Sequence, residues 1–478
     1  MDTRNDQNYL HISWLILFSG SVLLTLLHLH LPLFSDQETI IGFPAIYFYE
    51  HPGSGMLLPV TQDTGHPPLI PLYFSLLYRL FTPSIELLHW ASLPFLLLSG
   101  YLFHKLCQRW LSGPAMVWAS LLWFANPTWF THMVSVSTEL FLVACTLLAL
   151  EAILSGKNRL LALAIAVLLL ISLRGMVIVA TVWITYLLLE KPGSLRQFVR
   201  LTGPFLVGVL PFIAWNLYHW QHTGWMLSHP DSPWIEHRAL LSGKALIWSS
   251  GIFVFRFMEF GLCVICGILF RYRRWFKENC RPIYWWTTTG VALLALASIP
   301  FNNPLTNRYL LFITVPLVIP FAAILSTLNR PLIWLGVTCL LLASAHFYVY
   351  PEKWSKRVGY AYDATMAYRP YSMQLRTQMA QYLDEDDGIS GSTVIWSGFP
   401  EYHPLKWTDP EATQRIYQHQ MDTLHPDQAD LIILSNIMNE VPYFTASRIR
   451  QTWTPVATFR KGLIQLECYR NPKAVKNG

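Results

Sequence analysis

Apolar residues dominate long stretches of this chain, with little of the alternation that marks half-buried strands. Runs of bilayer-spanning length predict about eleven helices, near residues 12–33, 85–104, 114–130, 138–154, 159–173, 176–190, 201–219, 250–270, 283–300, 309–326 and 331–349. Residues 68–84 are also apolar, but short and broken by proline. A crossing there would invert every later loop, so this stretch is expected to be a helix lying along the membrane interface. From about residue 352 the pattern changes. Charges become frequent, and Thr393–Trp396, Leu431–Leu434, Val456–Phe459 and Leu463–Tyr469 read as strands, with a helix over Tyr368–Leu383 and a hairpin turn at Arg460-Lys461-Gly462. The expected fold class is an α-helical polytopic membrane protein carrying a small C-terminal extracytoplasmic α/β domain. The expected boundaries are a membrane module, 1–351, with its first outer loop at 34–84, and the α/β domain, 352–478.

Composition agrees with a membrane chain. Of 478 residues 53% are hydrophobic and only 13% charged, and Trp and Tyr are abundant. The first apolar run has no small-residue cleavage site after it and is expected to stay as an anchor. The net charge of +6 is modest. Its distribution fixes the orientation. With the N-terminus inside, inner loops carry about fourteen Lys and Arg and outer loops about five, namely Arg79, Arg174, Arg238, Lys244 and Arg308. Short basic loops between apolar runs argue for membrane orientation and against nucleic-acid binding. The expected location is a bacterial inner membrane, with the N-terminus cytoplasmic and the C-terminal domain periplasmic. Of the seven cysteines, Cys263 and Cys266 have a CxxC spacing, but they lie in an apolar helix without a second ligand pair.

Candidate chemistry gathers on the outer side. The first outer loop holds Asp36, Glu38, Glu50 and Asp63, and no Lys or Arg before Arg79. A carboxylate just beyond a membrane helix can take a proton from an acceptor hydroxyl or bind a divalent cation. Asp36 and Glu38 face the same side only if the segment is extended. Glu139 opens the helix predicted at 138–154, with His132 nearby. His66 is held in a stiff turn by Pro67-Pro68. Arg174 and Arg308 lie in outer loops, where topology alone gives no reason for arginine, and a guanidinium fork suits phosphate oxygens. Arg256 and Glu259 are three apart and read as a buried pair on one helix face.

In this order, and on this side of the membrane, these features resemble the GT-C membrane glycosyltransferases. They are an acidic pair after the first helix, a Pro-Pro turn closing the first loop, an acid opening the fourth helix and Arg308-Tyr309-Leu310 before the penultimate one. The chain looks most like the dolichyl-phosphate-mannose-protein mannosyltransferase-like group, which includes enzymes that transfer aminoarabinose to lipid A. The resemblance implies an inverting transfer of sugar from a polyprenyl-phosphate donor to an acceptor outside the membrane. It implies that Asp36 acts as base or metal ligand, with Glu38 and Glu139 as further catalytic acids. His66, His132, Arg174, Arg308 and Tyr309 would bind substrate. A divalent metal is optional in this scheme, and Asp36 and Glu139 would be its ligands. Membrane lipids, the lipid-linked donor and an unidentified acceptor are the expected partners. Two departures are visible. His66 stands where relatives often carry lysine, and the second acid is Glu where Asp is common. The competing reading is a secondary transporter or flippase of an anionic lipid or sugar. Such proteins place charges near the midplane and show matching halves, and neither pattern is visible in the sequence.

Overall fold

In a bilayer every backbone polar group must be satisfied within its own segment, so the apolar runs fold as helices. The computed structural model describes residues 3–33, 37–60, 62–227, 229, 238–259, 262–302, 305–327, 371–385, 395–397, 429–435, 443–461 and 464–472. Helix α1 is Thr3–Leu27. A π-helical turn, Glu38–Gly42, leads into α2 (Phe43–Glu50), followed by α3 (Leu69–Leu80), α4 (Ile85–Cys107), α5 (Pro114–Ala125), α6 (Pro127–Val134) and α7 (Thr138–Leu154). Next come α8 (Asn158–Ile171), α9 (Gly175–Glu190), α10 (Leu195–Thr223), α11 (Gly243–Arg256), α12 (Leu262–Arg271), α13 (Arg273–Asn279) and α14 (Arg281–Ser298). A 3-10 turn, Asn307–Leu310, then enters α15 (Leu311–Thr327). This is a polytopic helical membrane protein. Among the described residues, α1, α4, α10 and the stretch Asn307–Thr327 are long and apolar enough to cross a bilayer, and α6 with α7, bent by 112°, could form one more span. The short apolar run at 68–84 contains the 12-residue helix α3. The run predicted at 331–349 lies outside the described residues.

Three local differences from the sequence expectation have physical causes. The run at 114–130 divides at Asn126-Pro127, because the Asn126 side chain accepts from the Trp129 N–H at 3.1 Å and Pro127 starts a new helix. The run at 250–270 is two helices. Arg256 ends α11, and Glu259 lies in the break with both carboxylate oxygens within 3.2 Å of Arg256 Nη1, so the pair does not share one continuous helix face. From Gln37 to Glu50 the first loop is helical rather than extended, and Glu38 begins the π-helical turn.

Helix α15 is apolar all round, and its residues from Leu311 to Leu325 are all buried. That is the signature of a central helix. The other helices set up two rims. On one rim α1, α8 and α14 end and α7, α9 and α15 begin. On the other, Lys105 and Arg109 from the end of α4 hold the buried Glu151 of α7, at 2.8 and 2.9 Å.

The C-terminal elements are α16 (Ser372–Glu385), α17 (Tyr443–Thr452) and four strands, β1 (Ile395–Ser397), β2 (Leu431–Ser435), β3 (Thr454–Lys461) and β4 (Ile464–Arg470). The sheet order is β1-β2-β4-β3, with β1 parallel to β2 and the other pairs antiparallel. Strand β2 is buried along its whole length, and its period of two divides it between two helices. Leu431 and Ile433 face Met373, Leu375, Met379 and Leu383 of α16, while Ile432 and Leu434 face Ala446 and Ile449 of α17. The α16 cluster continues into Leu31 and Val134, so this helix joins the sheet to the first rim. There the Arg376 guanidinium, fully buried, meets the buried Glu38 carboxylate at 3.4 Å.

Removing one partner of a buried ion pair weakens the compensation of the other charge, and losing that compensation altogether costs about 3–5 kcal/mol. Glu38→Gln or Arg376→Met is therefore expected to lower the midpoint of thermal unfolding and speed proteolysis of the C-terminal region. The double change Glu38→Leu with Arg376→Leu should recover much of the loss. Equal stability of the single variants and the parent would show that the pair does not hold the two parts together.

Candidate active site

A cavity of about 360 Å³ lies at the first rim. Its walls are apolar: Leu142 and Val143 of α7, Val177 and Ile178 of α9, Leu294 of α14 and Phe312 of α15. Its polar end is built from Thr64, His66, Glu139, Arg174, Arg238, Arg308 and Tyr309. These residues come from five separate stretches of sequence, all emerging at one end of the bundle.

Glu139 is the hub. It sits in the first turn of α7, where the helix dipole favours a carboxylate, and only 3% of its side chain is exposed. Arg174, the residue before α9, donates from Nη1 to Glu139 Oε1 at 2.5 Å, and its Nη2 donates to Thr138 Oγ1 at 3.3 Å. Arg308 Nε stands 3.7 Å from the same Glu139 oxygen. The Tyr309 ring lies 4.8 Å from the Arg174 guanidinium and 5.5 Å from that of Arg308. Negative charge on Glu139 and the face of Tyr309 together let two guanidiniums approach one another away from bulk water.

His66 is placed by a tightly held loop. Asp63, 5% exposed, accepts from the Gly65 N–H at 2.8 Å and pairs with His219 Nε2 of α10 at 2.9 Å. Gly65 has φ +73°, and a Cβ there would stand 2.1 Å from the Leu227 carbonyl oxygen. Arg238 ties the same two segments together by donating to the carbonyls of Leu227 and Thr64. The Leu173 N–H donates to His66 Nδ1 at 3.3 Å, so that nitrogen is unprotonated and the ring proton of the neutral imidazole sits on Nε2. His66 remains half-buried. Protein packed around it, then the nearby Arg174 and Arg238, lower its pKa to about 3, against a smaller upward effect of Glu139. The imidazole is therefore a neutral donor at physiological pH.

The structure thus brings five of the sequence candidates, His66, Glu139, Arg174, Arg308 and Tyr309, to one cavity. His132 is fully buried just behind it, its Nδ1 3.0 Å from Ser137 Oγ and 3.8 Å from Glu139 Oε2. Glu38 is paired with Arg376 and is not among the cavity-lining residues. Asp36 lies outside the described residues. Sequence reasoning missed Arg238 as a site residue, although it stood out as one of few outer arginines. It also missed Asp63 and His219, whose separation of 156 residues gives no local signal.

Among the described residues, no group of three or more His, Cys, Asp or Glu side chains is placed to hold a metal ion. Glu139 is already engaged by two guanidiniums. Asp36, the other expected metal ligand, lies outside the described residues. Among the described lining residues, three guanidiniums and an N–H donor against one carboxylate leave the polar end with an excess of positive charge. The apolar walls suit an anion carried on a hydrocarbon chain.

No family model and no curated protein matches this sequence. Among solved structures the chain is similar to the crystal structure of ArnT from Cupriavidus metallidurans bound to undecaprenyl phosphate. The TM-score is 0.56 at 14% sequence identity, over 96% of this chain and 98% of that one. The chain therefore has the fold of ArnT along nearly its whole length, in keeping with the GT-C resemblance of its motifs.

A side chain at Gly65 meets backbone, in a conformation costing non-glycine residues about 1–3 kcal/mol. Gly65→Ala is expected to displace the loop that carries His66 and to weaken anion binding, read by titration of the purified protein. For His66, a folded-state pKa below the unfolded value means that the unfolded chain takes up the proton first. The stability contributed by neutral His66 is thus complete above pH about 6.5 and is lost as the pH falls toward about 3. Between pH 7 and 5 the melting temperature should fall more steeply for the parent than for His66→Gln. Parallel curves would contradict a neutral His66.

Proposed function

We propose that this protein is an inverting glycosyltransferase that uses a polyprenyl-phosphate sugar donor. The observation that carries the reading is the charged end of the cavity. Arg174, Arg238, Arg308 and the His66 N–H surround a space whose other walls are hydrocarbon. A phosphate on a long isoprenoid chain has that same division of chemistry. The fold neighbour, a structure bound to undecaprenyl phosphate, supports the choice.

In the proposed reaction the donor phosphate rests against the guanidiniums, with the lipid running along the apolar walls. An acceptor hydroxyl or amine approaches the anomeric carbon from the face opposite the phosphate. Asp36 takes the acceptor proton as the new bond to carbon forms. The carbon–oxygen bond to the phosphate breaks, and its electron pair stays on the phosphate oxygen. Arg174, Arg308 and the His66 N–H stabilise the charge that gathers there, which is the part of the barrier fixed dipoles and cations lower most. Glu139 holds the arginines in place before the donor arrives, so little reorganisation is needed during the reaction. The products are the glycosylated acceptor and the polyprenyl phosphate. In this reading the rim carrying the cavity faces outward from a bacterial inner membrane; the Lys105, Arg109 and other loop cations of the opposite rim support that orientation.

The test is transfer of radiolabel from an undecaprenyl-phosphate sugar to endogenous acceptors in membranes containing the protein. Arg308→Ala and Arg174→Ala are each expected to lower turnover by about 100-fold, the scale of losing one transition-state charge contact. Asp36→Asn that folds and turns over at the parental rate would reject Asp36 as the base. Absence of any lipid-dependent transfer by the parent would reject the reading as a whole.

A further inference from the structure

The buried pair Arg256–Glu259 lies outside the cavity, yet it is built against the segment that delivers Arg308. Both side chains are 2% exposed, as is Asn307. Arg256 donates from Nε to the Leu305 carbonyl at 2.6 Å and from Nη1 to both Glu259 oxygens, at 3.2 and 3.0 Å. Asn307 donates from Nδ2 to Glu259 Oε2 at 2.8 Å. A carboxylate only accepts, so this contact also fixes which way the Asn307 amide faces. The chain is therefore gripped at two points, the carbonyl of Leu305 and the side chain of Asn307. The next two residues, in the same 3-10 turn, are Arg308 and Tyr309, both lining the cavity.

We propose that Glu259, acting through Arg256 and Asn307, is a positioning residue for Arg308. This inference rests on the reading of the cavity as a lipid-phosphate site. The physical reason is reach. A guanidinium sits at the end of a flexible stem, so its position is only as well defined as the backbone at its root. Helix α15 begins just after the turn; upstream, backbone hydrogen bonds tie Pro300 to Leu241 and Asn302 to Ala239, six or more residues before Arg308. An ion pair with one further donor supplies that anchor in a place where water cannot. A misplacement of about 1 Å at a reacting charge is enough to cost about 100-fold.

The test measures binding of undecaprenyl phosphate to the full-length protein in nanodiscs, in a double-mutant cycle between Asn307→Ala and Arg308→Ala. Each single change is expected to weaken binding by about tenfold or more, and the double variant should bind no more weakly than Arg308→Ala alone. Glu259→Gln, which keeps size and shape, serves as a second probe and should behave as Asn307→Ala does in both backgrounds. Two results overturn the inference while the lipid-phosphate reading stands. One is parental affinity in Asn307→Ala and Glu259→Gln. The other is an equal loss with and without Arg308, which is what general loosening of the fold would give. Parental affinity in Arg308→Ala would instead overturn the lipid-phosphate reading, and this inference would fall with it.

Discussion

One buried carboxylate makes the cavity end of this protein possible. Arg174 and Arg308 would repel one another if brought together away from water without a counter-charge. Glu139 offers a single oxygen to both, at 2.5 and 3.7 Å, and it does so from the first turn of a helix whose dipole favours its negative form. The arrangement leaves excess positive charge facing the cavity while the protein itself remains stable. Under the proposed function, an incoming donor phosphate meets cations that are already assembled. The division of labour follows from burial: the acid is covered at 3% exposure, and the more exposed Arg174, at 26%, faces the open space.

The same device recurs around the rim. Helices in a bilayer gain little from the hydrophobic effect when they meet each other, so close packing and polar contacts must specify how they join. Asp63 with His219 ties the His66 loop to the end of α10. Arg256 with Glu259 and Asn307 ties the approach to α15. Glu38 with Arg376 ties the first loop to the helix that carries the C-terminal sheet. Each pair is almost fully covered, and each joins a segment near the cavity to a neighbouring element. Opposite, Glu151 with Lys105 and Arg109 does similar work on the other rim.

Much of this was legible in the chain. The long apolar runs announced helices, and the shift after residue 352 announced a different kind of structure. Strands β2, β3 and β4 fall where the runs of apolar and β-branched residues placed them, and β2 is buried as its unbroken apolar stretch required. His66, Glu139, Arg174, Arg308 and Tyr309 stood out because charged or polar groups at membrane edges need a reason. Glu38 shows the limit of that argument. It stood out equally, yet its partner is Arg376, 338 residues away. A conspicuous carboxylate says that a partner exists, not whether the partner is substrate or protein. The split at Arg256 was not legible either, because an apolar run does not show where a buried carboxylate will turn the backbone.

The sequence by itself determined that the chain is a helical membrane protein with a polar rim. The physical reason is local: bilayer-length apolar runs must become helices, and the few charges left at their ends lie at one surface or the other. Only the tertiary structure decided which of those charges share a site. Arg238 joined the cavity, Glu38 left its lining, and Asp63 found His219, because convergence depends on how helices pack and loops fold back. Much of that information is held in contacts between distant residues, Asp63 and His219 being 156 positions apart, and no short window along the sequence contains it.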